Sequence, residues 1–431
     1  MSSAEAPTPV RPGTKGKRVA VIGGGPGGLS AGLALHQAGF DVSVFERNKT
    51  TEALGGAILL NAIGIYIFRT YGVKVDDLFT AGTSRFRSHT GRERVLWRTD
   101  QELLDQAGVD GWISGMMRSE VYERMLEAVP DGMIANFHEF ERYEEFSDHV
   151  DVHFTNGYVH ECDLVIGADG INSPVRRQLW GPSELKHLGI AVWLGWAELE
   201  GPSRTEMILH HNDKYQFGFA PLRYKNKNCF EWWFVESCTE DQAKPEQVMP
   251  YIQDKLKDFV YPVGDILAAT DPDKSLFRWV VKYRDPLKRW SKGRVTILGD
   301  AAHPTSPYAG YGAGMAIEDG YFLGKALQGR DLSNISVLTE GLTIYDDQRV
   351  DYTNKVTSFA RFLGRMFHGA PKPLRKVRDF FLDHTKIPDK QISKGYTEDA
   401  QKLLRAILDA DHSVPQNISV APPQTKPLTK S

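Results

Sequence analysis

The sequence has 431 residues and is short of several features. It has no run of about 18 apolar residues, so no membrane-spanning helix is expected. Its three cysteines, Cys162, Cys229 and Cys238, are scattered and lack metal-ligand spacing. They fit reduced thiols in a reducing, cytoplasmic setting, and no metal site is expected. The net charge is only −3, so no global field points to nucleic acid or to an anionic membrane. No repeat of fixed period occurs, and there is no second G-x-G-x-x-G in a comparable context. The N-terminal stretch MSSAEAPTPVRPGTKGKR is polar and lacks the apolar segment of a secretory signal.

What is present begins at Lys17–Glu46. Val19 to Ile22 is an apolar, β-branched run suited to a buried parallel strand. Gly23, Gly25 and Gly28 follow as G-x-G-x-x-G, leading into helix-compatible residues up to Gln37. Gly23 permits a tight turn, Gly25 lets the backbone approach a pyrophosphate, and Gly28 lets helix and strand pack closely. The helix start offers free N–H groups to phosphates. Asp41 to Phe45 makes a second strand, and Glu46 lies 46 − 28 = 18 residues beyond the last glycine, where a carboxylate binds ribose hydroxyls and repels a 2′-phosphate. The fingerprint points to a dinucleotide and leaves FAD and NAD open.

Further along, helices are expected over Asn61 to Tyr71 and Ser119 to Val129, with Arg118 just ahead of the second. Leu164 to Ile166 is another buried strand, running into Asp169, Gly170 and a helix near Pro174. Between Leu188 and Tyr283, strand candidates rich in tryptophan dominate, interrupted by one helix near Glu246 to Phe259. A strand at Arg294 to Leu298 then precedes GDAAHPTSPYAGYGAGMAIEDG. Helices are expected from Met315 to Leu327, Ile335 to Arg349, Val356 to Phe367 and Leu374 to Leu382. The fold class is therefore α/β, a Rossmann-like nucleotide domain with an inserted antiparallel sheet and C-terminal helices. The expected divisions are a disordered arm over 1–16, the first part of the nucleotide domain over 17–187, the sheet domain over 188–284, the last nucleotide part over 285–330, helices over 331–412 and a disordered tail over 413–431.

Three motifs stand in fixed order: GGGPGGLS with Glu46, DLVIGADGINSPVR, and GDAAHPTSPYAGYGAGMAIED. Together they resemble the class A FAD-dependent monooxygenases of the para-hydroxybenzoate/salicylate hydroxylase type, with a glutathione reductase-like FAD-binding domain. The resemblance implies tightly bound FAD, with NAD(P)H as a transient cosubstrate that lacks its own Rossmann domain. It implies that Gly23, Gly25, Gly28, Glu46 and Arg47 hold the ADP half. Ala57, Arg118, Asp169 and Asp300 would meet the rest of the cofactor, and Pro307, Gly310, Gly312, Ala313 and Gly314 would lie beside the isoalloxazine. Tyr311 and Gly314 depart from the family pattern, which usually has Gln and Asn there. An arginine common in the loop after the second strand is hard to place within TTEALGGA.

The resemblance further implies hydroxylation of a phenolic or polyketide-like natural product by O2 through a flavin C4a-hydroperoxide. Tyr215, Arg223 and His303 are the catalytic candidates; Tyr224 and His211 also lie in the inserted sheet, and a homodimer stays open. Each candidate has a plainer reading: Asp169 and Asp300 as helix caps, His303 as a packed loop histidine, the others as surface residues. Most tryptophans should be core, with one or two facing the substrate. An oxidase, epoxidase or ring-rearranging enzyme on the same fold is the alternative function. A flavin halogenase is disfavoured because WLGW lacks the Trp-x-Trp-x-Ile-Pro signature, and an FAD-fold escort protein is disfavoured by the aromatic-rich cleft.

Overall fold

The computed structural model describes residues 13–49, 56–79, 81–88, 93–95, 100–385 and 397–413. The strand Arg18–Ile22 runs parallel to Asp41–Phe45 on one side and to Leu164–Gly167 on the other. Val295–Ile297 and Ile134–Ala135 complete this five-stranded sheet. Val19, Ala20 and Val21 are fully buried, as a parallel strand covered on both faces requires. The helix Pro26–Gln37 packs on the sheet and against Gly312–Leu327. The α/β nucleotide-binding architecture expected from the fingerprint is present.

The second sheet is larger and has nine strands. Phe277–Tyr283, Lys186–Glu198, Lys227–Ser237, Gln216–Tyr224 and Glu206–His211 are antiparallel in that order. Ala81–Ser88 adds in parallel to Glu206–His211, and Ile113–Met117 and Ala57–Asn61 continue the path. With Glu93–Val95, which pairs antiparallel to Ala81–Ser88, four strands of the segment 17–187 thus belong to this sheet, which is not confined to 188–284. Pairing partners far apart in sequence are decided by packing, and local periodicity does not encode them.

Side chains alternate faces along these strands. Trp193, Phe217, Phe219, Phe230, Trp232 and Phe234 point outward into a core closed by Val248–Leu256 and Val263–Ala268. The helix expected near Glu246 to Phe259 is present as Val248–Leu256, and two further helices follow it at Val263–Ala268 and Pro272–Ser275. The two helices expected at Ile335 to Arg349 and Val356 to Phe367 form one 34-residue helix, Ile335–His368. No proline or glycine pair interrupts it. Lys372–His384 follows, and Glu398–Ser413 buries Ala400, Leu404 and Ile407 against the helices Ala62–Thr70 and Gln101–Ala107. The end of the expected arm is fastened: Thr14 N donates to Asp41 (2.7 Å) and Gly16 N to Asp163 (2.8 Å). Residues 1–12 of the arm, residues 414–431 of the tail, and most of TTEALGGA lie outside the described residues.

Under the loop Gly299–Ala302 sits a buried ionic group. Arg349 donates to Glu318 and Asp319, each at 2.8 Å, and all three side chains are fully buried. The second carboxylate oxygen of Asp319 accepts from Gly299 N (3.0 Å) and pairs with His303 Nε2 at 2.5 Å. Removing the cation strands two carboxylates in a dry interior, which typically costs about 3–5 kcal/mol. Arg349→Met is therefore expected to lower unfolding stability by that order in a urea or thermal melt. A change below about 1 kcal/mol would show that the carboxylates find other partners.

Candidate active site

The glycine turn has two packing roles and one open one. Gly23 has φ 109°, and a Cβ there would meet the Ala168 carbonyl at 2.4 Å; one at Gly28 would meet the Gly23 carbonyl at 2.0 Å. Gly25 faces empty space, with no atom within 4 Å of where its Cβ would be. It opens onto a cavity of about 1150 Å³, beside the start of the helix Pro26–Gln37. Glu46 is nearly buried and accepts from Gly24 N (3.0 Å) and from Asn48 N and Nδ2 (3.0 and 2.7 Å), which locks the turn. Tyr122 fixes it from the other side by donating to the Gly24 carbonyl.

One turn before Tyr122, Arg118 is the first residue of the helix Arg118–Ala128 and lines the same cavity. No described residue hydrogen-bonds its guanidinium. Desolvation lowers its pKa, opposed by the charge of Asp300. Asp300 opens into the cavity while protein surrounds it, so burial raises its pKa against His303 and Arg118. Gly310 (φ 56°) turns the chain into the helix Gly312–Leu327, whose first N–H groups and Ala313 also border the cavity. An open glycine turn, two helix starts, a guanidinium that no described residue hydrogen-bonds and an enclosed carboxyl make up the set of polar groups that a dinucleotide with a polyhydroxyl chain requires. These residues fit FAD.

The cavity continues into a chamber floored by the inner face of the large sheet. Val192, Leu194, Met207, Leu209, Trp233 and Val235 alternate with the outward core residues. Phe86 and Trp279 add aromatic wall, and Phe359, Leu363, Met366, Phe367 and Leu382 from the two C-terminal helices form the roof. Gly218 seats Trp233: a Cβ there would lie 2.1 Å from the indole. Polar groups are few. Tyr308 is bonded to Gln216 and to His368 Nε2 (2.5 Å), and burial drives His368 down to about 3, so it is neutral at pH 7. Glu231 is buried in the wall, and desolvation pushes its carboxyl up to about 8.

The expected site residues separate in this geometry. Gly25, Ala57, Arg118, Asp300, Pro307, Gly310, Gly312 and Ala313 all line the cavity, whereas Gly23 and Gly28 shape its rim. Glu46 acts on the turn, and Arg47 is exposed, its charge tempering Asp169. Asp169 follows the capping reading: it accepts from Val175 N (3.1 Å), and burial raises it to about 6. Gly314 is not part of the wall. Its missing Cβ makes room for the Tyr311 ring, 2.8 Å from where that carbon would be, so the two departures from the family pattern fit each other.

The catalytic candidates Tyr215, Arg223 and His303 do not reach the cavity. Tyr215 packs edge-on against Phe234 on the outer face, Arg223 is exposed, and His303 lies behind the Asp300 loop on Asp319. Tyr224 leans on Trp196, and His211 stacks on Phe86 with Nε2 3.0 Å from Asp383. Sequence reasoning missed Tyr122, Tyr308, Phe86 and the helical roof, as well as Glu231. Glu231 alone left a signal, as a lone acid inside the apolar run CFEWWFVE.

Residues 17–360 match the family described as FAD binding domain. A 6-hydroxynicotinate 3-monooxygenase of Pseudomonas fluorescens is 26% identical over 376 residues, covering 79% of this chain and 89% of that protein. A 3-hydroxybenzoate 6-hydroxylase of Polaromonas naphthalenivorans is 27% identical over 391 residues, covering 81% and 88%. Among solved structures, Klebsiella pneumoniae HpxO complexed with FAD and uric acid shares the fold with a TM-score of 0.74, at 24% identity over 93% of this chain and 98% of that one.

Two measurements check the site. Arg118→Leu and Asp300→Ala are expected to lower retained flavin, read as the 450/280 nm absorbance ratio after dialysis, by about fivefold or more; full retention would remove them from the cofactor site. The second concerns Glu231. Its folded pKa of about 8 lies above the ordinary 4.5, so the folded state keeps a proton that the unfolded chain loses. The stability from this proton is complete below the ordinary value and lost as pH rises through the folded one. Glu231→Gln should therefore melt less steeply with pH between those values and be more stable than wild type above the upper one. Parallel melting curves would contradict the burial argument.

Proposed function

Because the chain belongs to the class A FAD-dependent aromatic monooxygenases marked by this FAD binding domain, we propose that it hydroxylates an aromatic substrate in the chamber at the expense of NAD(P)H and O2. The observation that carries this is one continuous cavity, with cofactor-holding groups at one end and an apolar, aromatic-lined chamber at the other. FAD, when bound, supplies the electron-transfer and oxygen chemistry that side chains lack.

The protein's own residues do the rest. The turn at Gly25 and the start of Pro26–Gln37 would hold the pyrophosphate, and Arg118 would add a charge that no other described residue claims. Asp300 would hold ribityl hydroxyls, on a loop positioned by the Asp319–His303–Arg349 group behind it. The start of Gly312–Leu327, which borders the cavity, would offer its N–H groups and positive dipole end to the bound flavin and so favour negative charge on it. Val192, Leu194, Met207, Leu209 and Phe367 exclude water around the reacting ring. Tyr308, held by Gln216 and His368, places one hydroxyl on the chamber wall. The names of the two curated relatives pair them with hydroxylated pyridine and benzene rings, which supports an aromatic ligand here.

Turnover under oxygen-18 gas tests this. With an accepted phenol or heteroaromatic, NAD(P)H oxidation should rise about tenfold or more and the product should gain one labelled oxygen. Label entering only from water, or NAD(P)H consumption that no aromatic ligand changes, would sink the reading. Tyr215→Phe and Arg223→Ala should keep turnover within about twofold, since neither side chain reaches the cavity.

A further inference from the structure

Beyond the cofactor-holding groups, the chamber is lined almost entirely by carbon, and its cations are committed. Lys282 lies 2.7 Å from Glu240, and Arg378 lies 2.6 Å from Asp379 and also donates to the carbonyls of Phe367 and Asp213. Arg118 stands at the cofactor end, beside Asp300. Two side chains that line the cavity carry a buried polar atom that no described residue hydrogen-bonds, Thr305 at Oγ1 and Glu231 at Oε1, and of these only Glu231 is ionisable. Glu231 is 4% exposed, lines the cavity, and its Oε1 has no hydrogen-bond partner. Its cross-strand neighbours are Trp196 and Ala220, neither of which carries a charge. Gly115 yields the space for it: a Cβ there would sit 2.5 Å from Oε1. The carboxyl is thus seated where the sheet floor meets the strands Ile113–Met117 and Ala57–Asn61.

A buried polar group without a partner is costly, and a dry ionised carboxylate is costlier. Desolvation, with no nearby charge to oppose it, keeps this one protonated at neutral pH. A neutral carboxyl is at once a donor and an acceptor. Its complement is an uncharged group offering N–H or O–H beside an acceptor, as in a phenol, an amide or a lactam. A carboxylated ring would instead bring an anion into a chamber whose cations Lys282 and Arg378 are already ion-paired, Arg118 standing at the cofactor end beside Asp300.

We propose that Glu231 is the recognition group of the chamber and selects an uncharged aromatic substrate presenting N–H or O–H beside a hydrogen-bond acceptor, to the exclusion of carboxylated rings. This rests on the chamber being the substrate site of the hydroxylation proposed above. Glu231 here is a specificity residue, distinct from the groups that hold the cofactor.

The test titrates the FAD-loaded full chain with 2-hydroxyquinoline and 2-naphthol, and with the matched carboxylates 2-hydroxyquinoline-4-carboxylate and 6-hydroxy-2-naphthoate, following the flavin absorbance. The uncharged probes should bind about tenfold or more tighter than their carboxylates. Glu231→Leu should lose about tenfold of that affinity and Glu231→Gln less than about threefold. FAD content and flavin reduction by NAD(P)H without ligand should match wild type in both variants. Carboxylates binding as well as the uncharged probes, no binding of the uncharged probes, or a Leu variant with unchanged affinity would each overturn the proposal. So would a Leu variant that loses FAD, since Glu231 would then serve the cofactor. Binding read by absorbance needs no turnover, so discrimination without oxygen insertion would sink the monooxygenase reading alone.

Discussion

Period-two alternation on the long strands of the nine-stranded sheet governs the layout of this protein. Every strand must bury its odd and even residues in different places. Trp193, Phe217, Phe219, Trp232 and Phe234 go outward under Val248–Leu256 and Val263–Ala268. Val192, Leu194, Trp233 and Val235 then face inward and line the chamber. It is held open by the strands Ala57–Asn61 and Ile113–Met117 at one end and by the C-terminal helices at the other. A slip of one residue in any strand would exchange core and chamber, so register and chamber are one specification.

The cofactor end depends on a different kind of support. Asp300 stands on a loop whose backbone is bonded to Asp319, and Asp319 is held by Arg349 from a helix that begins far along the chain. The same helix, Ile335–His368, supplies Phe359, Leu363 and Met366 to the chamber roof. The Asp300 loop and the chamber roof are therefore supported by one helix. Tyr311 and Gly314 show the same economy, because the ring at one position occupies the space vacated at the other.

Much of the cofactor site was legible because it depends on local backbone geometry. Gly23, Gly25 and Gly28 are tied to one turn, and Arg118, Asp300 and Gly310 to helix starts and tight loops within a few residues. The chamber was legible only as a region. The tryptophan-rich stretch was the right place to look, yet Trp193 and Trp232 are core while Trp233 faces ligand space. Tyr215 and Arg223 were attractive by residue type and failed by position, one facing the outer core and the other solvent.

The sequence by itself determined the nucleotide turn, the discontinuous order of its motifs, the presence of an aromatic-rich sheet and, through these, the flavin family. Each depends on short-range chemistry: glycine conformations, free helix N–H groups and hydrophobic period. Only the tertiary structure decided which face of each strand became chamber, that Ala81–Ser88 and the helices Ile335–His368 and Lys372–His384 would close it, and that Glu231 would stand in its wall without a partner. Those are long-range facts. Desolvation, pairing and enclosure are properties of what surrounds a side chain, and its surroundings come from segments hundreds of residues away.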